Sequence, residues 1–348
     1  MTQKSSSNGL TYVFDETPEI GQSLEILPGV RWLRMPLPFL LGHINLWLLQ
    51  DGDLWVIVDS GLHTSTTREH WETVLNQDLQ GAPVSRIMVT HLHPDHVGCA
   101  GWLAERCNAP LWMSREEYLL CRILASDTGK PAPREAIDFY RSAGFGSDSL
   151  QRYQDSFGSF GKFVSTLPQS YHRLKQGMQV NIGAHSWTVL IGCGHSVEHV
   201  CLYCEELNTL ISGDQILPTI SSNVSIWPTE PEANPLADWL ESLGELRQTL
   251  PADVLVLPAH GKPFRGAHFR LDQLVNEHLE GLDNIRKTCT RPMKAVEMFP
   301  LLFKSEVNEG NLMMATGEAV AHLRFLQEKG EMNSWLDEEG IRWYQMSK

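Results

Sequence analysis

No stretch of this sequence is apolar enough to cross a membrane. Its most apolar segment, Met35 to Leu49, is broken by Pro36, Pro38, Gly42, His43 and Asn45. A span needs roughly 20 apolar residues. The opening residues, MTQKSSSNGLTYVF, lack the apolar run of a signal peptide. The seven cysteines are odd in number and scattered, so no disulfide framework is expected and a reducing cytoplasm is the expected compartment. Basic charge is short as well. There are 28 Lys and Arg against 42 Asp and Glu, a formal net charge of -14. Such a surface repels phosphate backbones, which disfavours nucleic acid as a partner. Nucleotide-loop glycines are missing too: Gly192-Cys193-Gly194 stands outside any G-x-G-x-x-G or P-loop pattern.

What is present is a globular chain of 348 residues, 42% of them hydrophobic. That length suits one large domain and a smaller one. Residues 1–21 are polar and read as a loosely held lead-in. Leu46–Leu49 and Leu54–Val58 are apolar runs around the turn Gln50-Asp51-Gly52-Asp53, a hairpin signal. Residues 66–79 carry Trp71, Val74, Leu75 and Leu79 at helical spacing. Val84–Val89 reads as a strand, 98–106 as a helix and Pro110–Met113 as a short strand. Strands alternating with helices predict an α/β architecture.

Residues 114–172 differ. They are polar, with Phe139, Tyr140, Phe145, Phe157, Phe160 and Phe163 interspersed, and read as a helical insertion. A surface or dimer-forming elaboration and a substrate lid are both open for it. Strands then recur at Trp187–Ile191, Thr209–Ser212 and Asp253–Leu257, with a helix over 235–249. Residues 22–266 therefore form the expected catalytic domain. Residues 267–348 form a small, mainly helical C-terminal domain, and a final strand at Ile341–Tyr344 would suit a winged helix.

The chemistry concentrates in His91-Leu92-His93-Pro94-Asp95-His96, between a strand and a helix. Three imidazoles and a carboxylate within six residues are hard to justify as packing. On a loop leaving a strand, His91 and His93 can face one metal while Asp95 and His96 face another. Imidazole nitrogen and carboxylate oxygen suit Zn²⁺. His195, Asp214 and His260 each stand where a later strand ends. Loops at one edge of a sheet converge, so these residues can share one cleft.

This ordered set resembles the metallo-β-lactamase superfamily, over residues 22 to about 264. The resemblance implies a four-layer αβ/βα sandwich of two mixed sheets. It implies that His91, His93 and His195 hold one metal, that Asp95, His96 and His260 hold a second, and that Asp214 bridges them. Asp59 matches the family's early aspartate, which steadies a ligand imidazole through its other nitrogen. His199 is a candidate for similar support. Asp95 is the candidate for catalytic proton handling. An aspartate at position 214 is similar to the glyoxalase II-like branches, whereas true β-lactamases often carry cysteine there. Two Zn²⁺ ions are the expected cofactors, with Fe or Mn also admissible. Together they would supply a bridging hydroxide near neutral pH.

Other signals are discounted. Cys201 and Cys204 share C-x-x-C spacing, but on a strand they point to opposite faces. His43, His63 and His185 lack a constellation. The C-terminal unit resembles the winged-helix appendage of the β-lactamase-like protein 2 branch. Residues 266–348, however, hold ten Lys and Arg against thirteen Asp and Glu, which argues against nucleic-acid binding. Packing, dimerisation or substrate shaping is expected of it, so a homodimer stays open.

The expected activity is hydrolysis of a thioester, such as an acyl-CoA or glutathione thioester, or of a related ester. The alternatives are a lactonase, or a phosphodiesterase or ribonuclease of the same fold. Iron redox chemistry would require a flavodoxin-like partner domain, and none follows residue 264. The substrate is a small molecule, and the proline-rich segment Pro218 to Pro235 is expected to line its cleft.

Overall fold

The computed structural model describes residues 6–7, 9–38 and 41–347. Of the lead-in, residues 1–5 and 8 lie outside the described residues, as do 39–40 within the Met35–Leu49 stretch.

The described chain starts with β1 (Ser6–Ser7) and β2 (Leu10–Tyr12). An antiparallel meander follows: β3 (Ser23–Leu27), β4 (Val30–Pro36), β5 (His43–Asp51) and β6 (Leu54–Val58). The expected hairpin is there, with the turn tightened to Gly52-Asp53. Gly52 supplies the positive φ that so short a turn needs. Next in this seven-stranded sheet come β7 (Val84–Met88), β8 (Leu111–Met113) and β9 (His172–Arg173), all parallel to β6.

The second sheet contains β10 (Gln179–Ile182), β11 (His185–Gly192), β12 (His199–Cys204), β13 (Thr209–Gly213), β14 (Leu255–Pro258) and β15 (Phe264–Arg265). β15 pairs with β2, giving the order β1-β2-β15-β14-β13-β12-β11-β10. Leu10–Tyr12 is thus a paired strand with Leu10 buried, and that part of the lead-in is not loosely held.

The helices are α1 (Ser65–Thr73), α2 (Pro94–Val97), α3 (Ala100–Cys107), α4 (Arg115–Ser126), α5 (Arg134–Ala143), α6 (Ser147–Ser156), α7 (Pro235–Thr249), α8 (Ala267–Thr288), α9 (Phe299–Leu302) and α10 (Leu312–Glu328). The helix expected over 66–79 ends as α at Thr73 and continues as a π turn, Val74–Asp78. α7 matches the expected span. Pro235 opens it and the Asn234 side chain accepts the Ala237 N–H.

Alternation along β5 explains the layering. Ile44, Leu46 and Leu48 pack with Trp71 and Leu103 of the helices, while Trp47 and Leu49 pack with Trp187, Val189 and Leu257 of the other sheet. On the far face of the second sheet, Leu190, Leu210 and Val256 meet Trp239, Leu243, Leu271 and Leu274. Each such aliphatic side chain contributes roughly 1.5–3 kcal/mol by leaving water. The result is helix, sheet, sheet, helix: the four-layer αβ/βα sandwich.

The insertion does hold three helices, α4 to α6. Its aromatics, however, do not form a cover for the cleft as a group. Tyr140, Phe145 and Tyr153 make a small core with Phe139 and Phe157, packed against Val296, Leu312 and Met313 of the C-terminal region. Phe160 packs on the first sheet's helical layer instead.

The chain ends in a hairpin, β16 (Met332–Leu336) with β17 (Arg342–Met346). The final strand was legible. β16 was not, because only Met332 in it is buried and no apolar alternation marks it.

Candidate metal centre

β6, β7, β11, β13 and β14 all end at one edge of the sandwich, and the antiparallel β5 and β12 begin there. Asp59 follows β6, His91 comes shortly after β7, and His195 comes after β11. Asp214 follows β13 directly, and His260 comes after β14. His43 and His199 start β5 and β12.

The loop after β7 is held from below. Asp59 Oδ1 accepts the Thr90 N–H at 2.8 Å, and Oδ2 accepts the Thr90 hydroxyl at 2.9 Å and the His96 Nδ1–H at 2.8 Å. Asp59 reaches this position at φ 61°, a left-handed conformation that costs a non-glycine residue about 1–3 kcal/mol. Pro94 opens α2, whose first turn carries Asp95 and His96.

Two donor groups result. His91, His93, His195 and Asp214 each offer one atom, all within 4.8 Å of one another, and Asp95, His96 and His260 form a second such group. Asp214 stands between them. Its Oδ2 is 3.5 Å from His195 Nε2, while Oδ1 is 3.5 Å from His96 Nε2 and 3.6 Å from His260 Nε2. His260 Nε2 is also 3.3 Å from Asp95 Oδ2. The structure therefore brings together all seven residues singled out as ligands in the sequence.

Tautomers follow from the outward contacts. His195 Nδ1–H donates to Asn223 O at 2.8 Å, His260 Nδ1–H to His43 O at 3.0 Å, and His96 Nδ1–H to Asp59. Each ring then has its Nε2 facing inward. His96 Nε2, His195 Nε2 and Asp214 Oδ1 are buried with no hydrogen-bond partner. Leaving such atoms unmet costs about 1–3 kcal/mol apiece. Cations between them would satisfy all three, so the donor set fits metal ions.

Electrostatics agree with a lone-pair role on one side. Burial, with the neighbouring imidazoles, holds His91 well below its ordinary value and lowers His93 to about 3. Burial opposes ionisation of Asp214, but His96 and His260 outweigh it and hold that carboxyl well below its usual range. His93 and Asp95 are partly exposed while His91 and His96 are buried, so the site opens to solvent on one side.

His199 is buried against the His91 ring, with centroids 4.6 Å apart. His43 contributes its carbonyl, and its ring belongs to neither donor group. Cys201 and Cys204 fall in different hydrophobic clusters on opposite faces of the second sheet. His185, Cys204 and Glu206 gather into a separate small group of donor atoms.

Several supporting residues carried no sequence signal. Glu117 of α4 is fully buried. It accepts the Leu92 N–H at 2.8 Å, the Ser196 hydroxyl at 2.6 Å and the Glu198 N–H at 2.9 Å, tying the loop after β7 to the loop after β11. Asn45 accepts Trp32 Nε1–H at 2.7 Å and donates to Pro258 O and Gly261 O, on either side of His260. Asn223 differs, because it lies in the Pro218 to Pro235 segment that was expected to line the cleft, and its carbonyl stands behind His195.

Comparison with known proteins adds five findings. The metallo-beta-lactamase superfamily model matches residues 40–260, and a model described as the metallo-beta-lactamase-like, C-terminal domain matches residues 282–347. The chain is similar to a crystal structure of a beta-lactamase domain protein from Burkholderia ambifaria, with 42% identity, 97% of this chain and 98% of that chain covered, and a TM-score of 0.90. It is 23% identical over 313 residues to the probable metallo-hydrolase YqjP of Bacillus subtilis (strain 168), covering 87% of this chain and 93% of that protein. It is 22% identical over 252 residues to an atrochrysone carboxyl ACP thioesterase of Aspergillus fumigatus, covering 72% of this chain and 45% of that protein.

Proposed function

The chain belongs to the metallo-β-lactamase superfamily and is a metal-dependent hydrolase of it, and on that premise we propose that it holds two metal ions and cleaves a thioester or related ester of a small molecule. The observation that carries the site is the convergence of three orphaned buried atoms, His96 Nε2, His195 Nε2 and Asp214 Oδ1. His91, His93 and His195 would hold one ion, and Asp95, His96 and His260 the other, with Asp214 between the two groups as a ligand available to both. Zn²⁺ fits these donors, and iron or manganese is also admitted by them. Support for the thioester comes from the similarity to a protein named as an ACP thioesterase. The same reading takes 22–266 as the catalytic unit and 267–348 as the C-terminal unit. No helix among the described residues is long and apolar enough to cross a membrane.

When bound, such ions lower the pKa of a water and polarise the carbonyl oxygen under attack. The protein's own part is orientation and proton handling. Asp59, Asn223 and the His43 carbonyl fix the ligand imidazoles so that Nε2 faces inward. Asp95 is partly exposed with Oδ2 close to His260 and His96, where it would take the proton of the attacking water and pass it to the leaving thiolate or alkoxide. No side-chain nucleophile is required.

The test is to quantify bound metal, then assay acyl-CoA and glutathione thioesters, lactones and a phosphodiester in parallel. Near two metals per chain is expected, with thioester turnover preferred and lost on chelation or in His93→Ala. Asp95→Asn is expected to keep metal and lose turnover. Preferred lactone or phosphodiester turnover would overturn the substrate class, and absence of metal would overturn the site.

A further inference from the structure

The C-terminal unit reaches the donor groups through residues 217–226. Arg270 on α8 is buried and grips its first half. Nε donates to Leu217 O at 2.7 Å, and Nη2 donates to Ile220 O at 2.8 Å. α10 grips the second half. Asn223 Nδ2 donates to Glu318 Oε2 at 2.7 Å, Ser225 Oγ donates to Met314 O at 3.0 Å, and Ile226 N–H donates to Gly317 O at 3.1 Å. The contact is tight at Gly317. A Cβ there would lie 2.7 Å from Ser225 Cβ and 2.8 Å from Ile226 O, so only glycine lets the helix come this close.

Asn223 stands between the two grips, and its carbonyl receives the His195 Nδ1–H. That one contact fixes both the tautomer and the rotation of His195, and with them the direction of the bare Nε2 toward Asp214. A ligand imidazole is only as well aimed as the group behind it, and losing that group typically costs 10–100-fold in metal affinity. Here the group behind is a carbonyl on a loop, and a loop aims well only when it is held.

We propose that Gly317 and Glu318 of α10 are positioning residues for His195, so that the C-terminal unit sets the metal affinity of the His91/His93/His195 group, an inference that rests on the metal-site reading above. The C-terminal unit is then part of the site's architecture. Burial pushes the Glu318 carboxyl up to about 7, so an amide is a close substitute for it near neutral pH and keeps an oxygen to accept from Asn223.

The experiment uses the full chain, stripped of metal and titrated with Zn²⁺ against a chromophoric chelator. Wild type is compared with Gly317→Ala, Glu318→Ala and Glu318→Gln. The melting temperature of each metal-free protein and amide exchange over 217–226 are read alongside. Gly317→Ala and Glu318→Ala are expected to weaken one of the two Zn²⁺ sites by about 10–100-fold. The other site should stay near wild type, with faster exchange over 217–226. Glu318→Gln should restore both affinities. Wild-type affinity at both sites in Glu318→Ala would overturn the proposal. So would equal weakening of both sites with a lowered metal-free melting temperature, which would mark a purely structural contact. Wild-type protein that binds no Zn²⁺ would overturn the metal-site reading itself, and this proposal with it.

Discussion

His199 Nε2 accepts the backbone N–H of Asp214 at 3.1 Å. The ring fits there because residue 213 is glycine: at φ 50° a Cβ on Gly213 would lie 2.6 Å from His199 Nε2. The imidazole therefore orients the residue that spans the two donor groups without offering an atom to either. His199→Leu would leave the Asp214 N–H buried and unpaired, a cost of about 1–3 kcal/mol. The expected outcome is a folded protein whose metal affinity falls 10–100-fold, read by titration of the metal-free form. Unchanged affinity would reduce His199 to packing.

Glu117 gathers three donors from two loops into one buried carboxylate. Glu117→Gln keeps the shape but turns an amide NH₂ toward a donor. At least one donor then loses its acceptor, at about 1–3 kcal/mol. For a chain of 348 residues each kcal/mol is worth roughly 1–2 °C. The melting temperature of the metal-free variant is expected to drop accordingly, and metal affinity to drop with it. A variant as stable as wild type would show that the loops after β7 and β11 need no tie.

The ligand set was readable from sequence because its signals are local. His91, His93, Asp95 and His96 share one loop, and His195, Asp214 and His260 each follow a recognisable apolar run. The supports were not readable, for a physical reason. Glu117, Asn45 and Glu318 meet partners as far as 216 positions away. Nothing near Glu117 in Arg115-Glu116-Glu117-Tyr118 sets it apart from its exposed neighbour Glu116. The role of the insertion stayed open in the sequence for the same cause. Its aromatics looked available as a cover, but Tyr140 and Tyr153 are consumed by contact with Leu312 and Met313, far along the chain.

The buried pair His278 and His322 predicts a dependence of stability on pH. His322 Nδ1–H donates to Glu318 O at 2.8 Å, so its Nε2 is an acceptor, and His278 Nδ1–H donates to it at 3.2 Å. His278 Nε2 is then bare, buried and without a partner. Neither ring has a carboxylate to welcome a second proton. Burial lowers His322 to about 4, and burial with the neighbouring His322 lowers His278 to about 3. In the unfolded chain both return to about 6.5. Above pH 6.5 both states are neutral and the pair's contribution is complete. Below it the unfolded chain takes up protons that the folded chain refuses, so stability falls until the folded values near 4 and 3 are reached. The loss is on the order of 1.4 kcal/mol per pH unit for each ring. Denaturant unfolding of metal-free wild type between pH 6.5 and 5 should therefore show a steeper decline than the double variant His278→Leu/His322→Leu. The other histidines are common to both proteins and cancel in that difference. Equal slopes would mean that the pair accepts a proton in the folded state, which requires His278 Nε2 to gain a partner that the packing of α8 against α10 does not provide.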